Sequence, residues 1–409
     1  MASVLPEGEP APADGALPPS ALAGLGRRSF GVYVHVPFCA TRCGYCDFNT
    51  YTAGELGSSA SPASWLDGLR RELDLAAGVF GTPPTADTVF VGGGTPSLLG
   101  AAGLSAVLDA VRDAFGLAGG AEVTAECNPE STSAEFFAGL RAAGYTRVSL
   151  GMQSAAPHVL AVLDRTHTPG RPVAAAREAR DAGFEHVNLD LIYGTPGERR
   201  SDLEDSLDAV LAAGVDHVSA YALIVEDGTA LARRIRRGEL PAPDDDVLAE
   251  RYELIDTALA GYGLHWYEVS NWATGPDAWC RHNLGYWRGG DWWGAGPGAH
   301  SHVGGVRWWN VKHPARYAAL LAEGRSPAAG RERLSTRDRQ VERVMLELRL
   351  VDGLAVDFLD EPGREQARLA AAEGLLEPAA MAGVNGKFGR CVLTRRGRLL
   401  ADAVIRRLV

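Results

Sequence analysis

The sequence predicts an α/β fold organised as a partial (β/α)6 barrel, and three observations carry that prediction. Short β-branched runs recur through the first 230 residues, at Gly31 to Val36, Thr88 to Val91, Glu122 to Ala125, Arg147 to Leu150, His186 to Ile192 and His217 to Val225. Each is followed by a stretch of helical character, and several are nearly continuous in apolar residues, as strands covered by helices on both faces are. Polar and glycine-rich segments stand directly after the runs, where parallel α/β folds gather their ligands. Six βα steps fall two short of a closed eight-fold barrel.

In chain order, residues 1–29 are rich in Ala, Pro and Gly with early acids at Glu7, Glu9 and Asp14. Without a basic start and an apolar core they predict a disordered tail, not a signal peptide. Residues 30–234 hold the six βα steps. After the first run comes Val36-Pro37-Phe38-Cys39-Ala-Thr-Arg-Cys43-Gly-Tyr45-Cys46-Asp47-Phe48. Soft thiolates suit an iron-sulfur cluster, and cubanes are normally held by four of them. Cys39, Cys43 and Cys46 would leave one iron open to the amino and carboxylate groups of a molecule such as S-adenosylmethionine. Two other readings stand beside this one. A tetrahedral zinc site lacks a further Cys or His pair at finger or ribbon spacing, and a redox pair of Cys43 and Cys46 gives Cys39 no role. Pro37 and Gly44 argue for a loop over a buried helix face.

The later loops read Gly92-Gly93-Gly94-Thr95-Pro96, Glu126-Cys127-Asn128-Pro129-Glu130, Gly151-Met152-Gln153 and Asp190 to Pro196. The glycine loop is neither a Walker loop nor a dinucleotide fingerprint, but its backbone can approach a ligand closely and accept from an ammonium group. Glu126, Gln153, Arg165 and Asp190 supply the polar groups an adenosyl sulfonium would need.

Residues 235–330 differ in character. Eight of the nine tryptophans and five of the ten histidines lie between His265 and His313, interleaved with glycine. One reading is a small antiparallel extension packed on the barrel; the other is a flat apolar wall for a porphyrin with a histidine for its iron. Residues 331–409 predict a small winged-helix-like domain, with helices near 341–348 and 363–374 and a Lys387-to-Thr394 strand after an Asn385-Gly386 turn. Its arginines, from Arg395 to Arg407, do not make a DNA-binding face in a chain of net charge -11. Scattered cysteines outside the first loop suit a reducing cytoplasm, and no apolar run is long enough to span a bilayer.

Tyr33-Val-His35-Val-Pro37-Phe38-Cys39-x3-Cys43-x-Tyr45-Cys46-Asp47-Phe48, the Gly92 loop, Ser149-Leu-Gly151-Met-Gln153, Arg165-Thr-His167 and Asn188-Leu-Asp190-Leu-Ile-Tyr193-Gly194-x-Pro196 together resemble the radical S-adenosylmethionine family. Within it they resemble oxygen-independent coproporphyrinogen III dehydrogenase and its relatives, the HemW-type heme chaperones, from about residue 30 to the C-terminus. The resemblance implies a [4Fe-4S] cluster on Cys39, Cys43 and Cys46, with Tyr33, Gly93 and Glu126 near its S-adenosylmethionine. Tyr45, Gly94, Thr95, Gln153, Arg165, Asp190 and Ile224 match positions lining a second S-adenosylmethionine site in the dehydrogenase. Phe48 stands where the dehydrogenase pattern has a fourth cysteine, and His282-Asn283-x-x-Tyr286-Trp287 matches the chaperone branch. The resemblance therefore implies a cytoplasmic chaperone that binds heme and passes it to an apoprotein, with coproporphyrinogen decarboxylation as the alternative. His282 is the first candidate for a heme iron ligand, ahead of His300 and His302. A respiratory recipient, peripheral membrane contact and a homodimer stay open.

Overall fold

The computed structural model describes residues 8–57, 60–383 and 389–409. The six runs form β1 (Phe30–Val36), β2 (Ala86–Gly93), β3 (Leu117–Cys127), β4 (Arg147–Gln153), β5 (His186–Tyr193) and β6 (His217–Ala222). They pair in parallel in sequence order, with Tyr33 opposite Phe90 and Asp190 opposite Ser219. The connections run through α1 (Pro62–Phe80), α2 (Gly100–Phe115), α3 (Ala134–Ala143), α4 (Arg171–Asp181) and α5 (Arg200–Ala213).

Side chains alternate across the strands with period two, and the two faces have opposite chemistry. Val32, Val34 and Val36 are fully buried in one core with Leu69 and Leu73 of α1 and Leu104 and Leu108 of α2. Apart from Phe90 and Ile192, the intervening positions are polar or glycine: Tyr33 and His35, Glu122, Thr124 and Glu126, Arg147 and Ser149, Asn188 and Asp190, His217 and Ser219. That inner face holds the chemistry.

The aromatic-rich segment is not a separate small sheet, because it extends the main one at both edges. After α6 (Asp245–Gly261), β7 (His265–Glu268) and β8 (Asn271–Ala273) add to β6, with β8 antiparallel to it. The chain then forms α7 (Arg281–Trp287) and reaches the opposite edge, where β9 (Asp291–Ala295) pairs parallel to β1. Next come β10 (His300–Val303), β11 (Val306–Asn310), α8 (Pro314–Ala322) and β12 (Ala328–Arg333). The sheet therefore has twelve strands in the order β12-β11-β10-β9-β1-β2-β3-β4-β5-β6-β8-β7. Trp272, Trp293 and Trp308 belong to the same core as the barrel valines.

Between the two edges, α7 sits on the inner face. Glu122 accepts from the Arg281 and His282 backbone N–H groups at 3.0 and 2.9 Å. The Arg147 guanidinium pairs with Glu122 at 3.3 Å and donates to the Ala278 carbonyl at 2.6 Å. Tyr267 of β7 joins the network, its hydroxyl accepting from the Cys280 N–H at 3.1 Å and lying 2.7 Å from His217 Nε2.

Residues 8–29 depart from the expected disordered tail. Glu9 makes reciprocal backbone bonds with Arg331 of β12, at 2.8 and 2.9 Å, and its carboxylate meets Arg331 and Arg333. Ala21, in a single helical turn Pro19–Leu22, is fully buried. Low hydrophobicity argued for disorder, but small residues follow a sheet surface closely, and backbone pairing needs no apolar side chain. Residues 1–7 lie outside those described.

The C-terminal segment has its own core of Val344, Leu348, Leu354, Ala367, Leu376, Cys391, Leu393 and Val404. It comprises α9 (Thr336–Glu347), α10 (Glu361–Ala372) and α11 (Ala401–Leu408), with Leu354–Ala355 antiparallel to Arg390–Cys391. The expected strand begins later than Lys387 among the described residues, and the Asn385-Gly386 turn lies outside them. Arg395 and Arg398 both pair with Asp256 of α6, at 2.6 and 3.0 Å, so these arginines fasten the segment to the body.

Glu72 of α1 gives the fold a pH dependence. It is fully buried, accepting from the Gly296 N–H, the Asn310 amide and the Tyr317 hydroxyl at 2.6–2.7 Å. Burial outweighs those donors and raises its carboxyl to about 7. Between an ordinary carboxyl value and about 7 the folded state holds more protons than the unfolded one, so stability falls as pH rises through that window. Glu72→Gln is expected to remove a contribution on the order of 3 kcal/mol to that slope. Urea unfolding of both proteins at pH 5 and pH 8 measures it; identical slopes would refute the assignment.

Candidate functional site

The carboxyl ends of the strands open into a cavity of about 420 Å³. All three clustered cysteines line it, with Tyr45, Gly93, Gly94, Thr95, Glu126, Gln153, Arg165, Asp190 and Ile224. Seven stretches of chain that are remote in sequence are thus brought to one place.

The cysteine loop is tied at each end. Phe38–Cys39 pairs in parallel with Tyr51–Thr52, closing the loop on itself. The Gly44 N–H donates to Leu163 O at 3.1 Å, and its carbonyl accepts from Leu231 N at 2.8 Å. Asn49 donates to the carbonyls of Pro297 and Lys312, at 3.0 and 2.8 Å, which joins the loop to the aromatic-rich segment. His35, buried on the inner face of β1, lies 2.9 Å from the Asn49 carbonyl through Nε2 and 3.0 Å from the Tyr33 hydroxyl through Nδ1.

Two neighbours hold the thiols. Thr95 Oγ1 donates to Cys39 Sγ at 3.7 Å, and Arg165 Nη1 donates to Cys43 Sγ at 3.6 Å. Burial pushes the Cys39 thiol up and the Cys46 thiol to about 11. Among the described residues no three His, Cys, Asp or Glu side chains converge on a single ion position.

The glycine loop meets this wall at close range. Gly93 has φ 108°, and its N–H donates to Glu126 at 3.0 Å. A Cβ on Gly94 would stand 2.5 Å from the Phe38 carbonyl oxygen, so the two loops approach as only glycine allows. Burial, with Asp190 adding to it, holds the Glu126 carboxyl up at about 8. Asp190, also raised by burial, accepts from Ser149 and Asn188 at 2.9 and 2.7 Å. Arg165 donates to the Gly151 carbonyl at 3.0 Å, while its buried Nε has no partner among the described residues.

The two non-glycine residues with positive φ among those described, Gln153 at 67° and Asp164 at 52°, both line this cavity. Such backbone conformations cluster at binding sites, where surrounding structure enforces them. Three thiols on one wall, a glycine cradle and an unpartnered guanidinium nitrogen fit a cluster with a polar, partly anionic ligand beside it.

Two expected site residues fall elsewhere. Tyr33 lies on the inner face of β1 and is not among the lining residues. His282, the first candidate for heme iron, does not line this cavity and is 3 % exposed. Its Nδ1 lies 2.8 Å from Thr88 Oγ1, its Nε2 lies 2.7 Å from the Tyr286 hydroxyl, and its ring stacks on Phe90. Burial pushes this imidazole down to about 3. Both nitrogens of His282 are thus bonded inside the barrel, where the residue packs beneath α7. Its hydroxyl partner Thr88, 194 residues away, is invisible in sequence. The motif reading missed His35 as the anchor of the cysteine loop; the signal was a polar residue within the apolar run Phe30 to Val36.

Comparisons with known proteins agree with this geometry. Residues 33–210 match the Radical SAM superfamily model. The chain is 62 % identical over 388 residues to heme chaperone HemW of Mycobacterium tuberculosis, covering 95 % of this chain and 97 % of that one. It is 32 % identical to heme chaperone HemW of Bacillus subtilis, covering 91 % and 97 %. The solved structure of coproporphyrinogen III oxidase (HemN) from Escherichia coli, a radical SAM enzyme, superposes with a TM-score of 0.79 at 23 % identity, covering 97 % and 94 %, and shows the shared fold. The radical SAM family implies a [4Fe-4S] cluster and S-adenosylmethionine. On its fold, its cavity and its full-length similarity, the chain belongs to the HemW family of the radical SAM superfamily.

Proposed function

We propose that this protein is a heme chaperone, binding heme and handing it to an apoprotein. The observation that carries the reading is 62 % identity across 95 % of the chain to a relative named for that function. Phe48 supports it over the decarboxylase alternative, since a 59 % exposed phenyl ring lines the cavity where the dehydrogenase pattern has cysteine.

In this reading Cys39, Cys43 and Cys46 hold the cluster, and Gly93 and Glu126 face S-adenosylmethionine on it. Gly94, Thr95, Tyr45, Gln153, Arg165, Asp190 and Ile224 extend the same wall. A reduced cluster of this kind supplies an electron to a bound sulfonium. The chain's own contribution is to position: Thr95 and Arg165 orient two thiols, and the Gly93 N–H fixes the Glu126 carboxyl. The protein works in the cytoplasm in this reading; among the described residues no helix is long and apolar enough to cross a membrane. A respiratory recipient, peripheral membrane contact and dimerisation belong to the same proposal.

The test is heme titration of the anaerobically reconstituted protein, with coproporphyrinogen turnover assayed on the same sample. Saturable heme binding without turnover is expected. Turnover with weak heme binding would replace this reading with a biosynthetic decarboxylase.

A further inference from the structure

A hydrogen-bonded chain crosses the inner face of the sheet from its β7 edge to the wall of the cysteine cavity. Tyr267 of β7, His217 of β6, Asn188 of β5 and Ser149 of β4 are all buried, and the last three stand opposite one another in register. The chain ends on Asp190, which lines the cavity. Resting on the S-adenosylmethionine reading above, we propose that His217 and Tyr267 are positioning residues of that cavity. They orient the Asn188 amide with its N–H groups toward Asp190, and so hold the Asp190 carboxylate as an anion for the positively charged sulfonium.

The polarity of the chain follows from its hydrogens. Asn188 Nδ2 carries two, and it lies 2.7 Å from both Ser149 Oγ and Asp190 Oδ1. Asn188 Oδ1, 2.7 Å from His217 Nδ1, can only accept. Burial keeps the imidazole neutral, so Nδ1 carries its one proton and Nε2 its lone pair. The Tyr267 hydroxyl, kept protonated by burial, lies 2.7 Å from Nε2 and donates to it. Ser149 accepts from Asn188 and gives its own hydrogen to Asp190 Oδ2 at 2.9 Å.

Tyr267 sets this direction from the far end. Its oxygen already accepts from the Cys280 N–H at 3.1 Å. In a reversed chain it would accept a second time, from His217, and its own O–H would have no acceptor among the described residues. The reversed Asn188 amide would also set its oxygen against Asp190 Oδ1, which only a protonated Asp190 tolerates. The two directions therefore correspond to the two charge states of Asp190, and the tyrosine selects the anion.

That choice matters where the chain opens. Burial pushes the Asp190 carboxyl up, while Ser149, Asn188, Ser219 and Arg165 oppose the push. Glu126 lines the same cavity and has one N–H donor, from Gly93, so it is the member of this carboxyl pair that takes a proton. Asp190, receiving hydrogens on both oxygens from behind, is left as a fixed negative charge on the wall. The other buried network on this face, Glu122 with Arg147, ends on backbone groups around the start of α7. This one ends at a cavity.

The experiment compares S-adenosylmethionine with S-adenosylhomocysteine, which lacks the methyl group and with it the sulfonium charge. Both are titrated calorimetrically into the anaerobically reconstituted full chain, and the wild type is expected to prefer the sulfonium. His217→Leu should cut that preference about tenfold, the worth of a charge-assisted contact, by weakening the sulfonium ligand more than the thioether. His217→Asn, whose amide can still donate to Asn188, should keep most of the preference, which a purely structural role would not predict. Nitrogen NMR of histidine-labelled protein should place the His217 proton on Nδ1. If His217→Leu does not fold, Tyr267→Phe, which removes only the hydroxyl, should lower the preference in the same direction. A wild-type preference retained in both His217→Leu and Tyr267→Phe, even with both ligands equally weakened, or a wild-type proton on Nε2, would overturn the proposal. A wild-type protein that binds neither ligand would instead sink the S-adenosylmethionine reading, and this positioning role with it.

Discussion

Cys43→Ala protein, taken through anaerobic reconstitution, is expected to emerge with iron, sulfide and visible charge-transfer absorbance near background. The expectation follows from the way the three thiols are presented. Each belongs to one short loop pinned by Phe38–Cys39 against Tyr51–Thr52 and by Asn49 against two carbonyls, so none of the remaining groups can swing in as a substitute. The other cysteines are remote from that role: Cys280 and Cys391 lie outside the cavity, and Cys127, buried, turns its thiol toward the Ala125 carbonyl at 3.7 Å. Cys391→Ala, in the C-terminal core, is the matched control and should reconstitute like the parent. Arg165→Ala removes the Cys43 contact but no ligand, and should lower cluster retention less than the cysteine change does, since a group that orients a ligand costs about 10–100-fold in affinity. A Cys43→Ala protein that loads a full complement of iron would disprove the cluster assignment.

The second large effect is on stability. Glu122→Ala is expected to destabilise the fold by about 3–5 kcal/mol, the cost of leaving one member of a buried ion pair uncompensated. Arg147 is 2 % exposed, and with Glu122 gone its charge would face only the Ala278 and Trp279 carbonyls. The same change frees the Arg281 and His282 N–H groups, so the start of α7 loses its anionic partner as well. Removing both charges together with Arg147→Met should cost less than removing Glu122 alone. Denaturant midpoints of the two variants, compared with the parent, decide it. Equal loss in single and double variants would mean that the pair is not what holds α7 in place.

Much of this architecture was legible because its signals are local. Six apolar runs bounded by polar loops specify six parallel strands, and ligand-rich segments placed after strands converge by the geometry of the fold alone. For that reason ten of the twelve cysteine, loop and strand-end candidates needed no more than a register to come together, and Ile224 and Tyr45 followed from the family motif. What escaped was set by long-range pairing. β9, Asp291-Trp292-Trp293-Gly294-Ala295, has no β-branched residue, and only its place beside β1 makes it a parallel strand. The placement of His282 under α7, bonded to Thr88 across the sheet, could not be read from its neighbours. Residues 8–29 looked unstructured because composition does not report a backbone bridge from Glu9 to Arg331 of β12.

The route of the chain between residues 265 and 310 also governs how the molecule can be made. Both flanks of the six-strand sheet are sealed by segments that follow it in sequence, β8 on β6 and β9 on β1. Until a ribosome has made residues 271–273 the nascent barrel has no partner strand for either border, and until residue 295 none for β1, each open border a template for adhesion to a neighbouring polypeptide. The interval of greatest vulnerability lies after β6 and before β9. The β6 border gains its partner with residues 271–273, the β1 border only with residues 291–295.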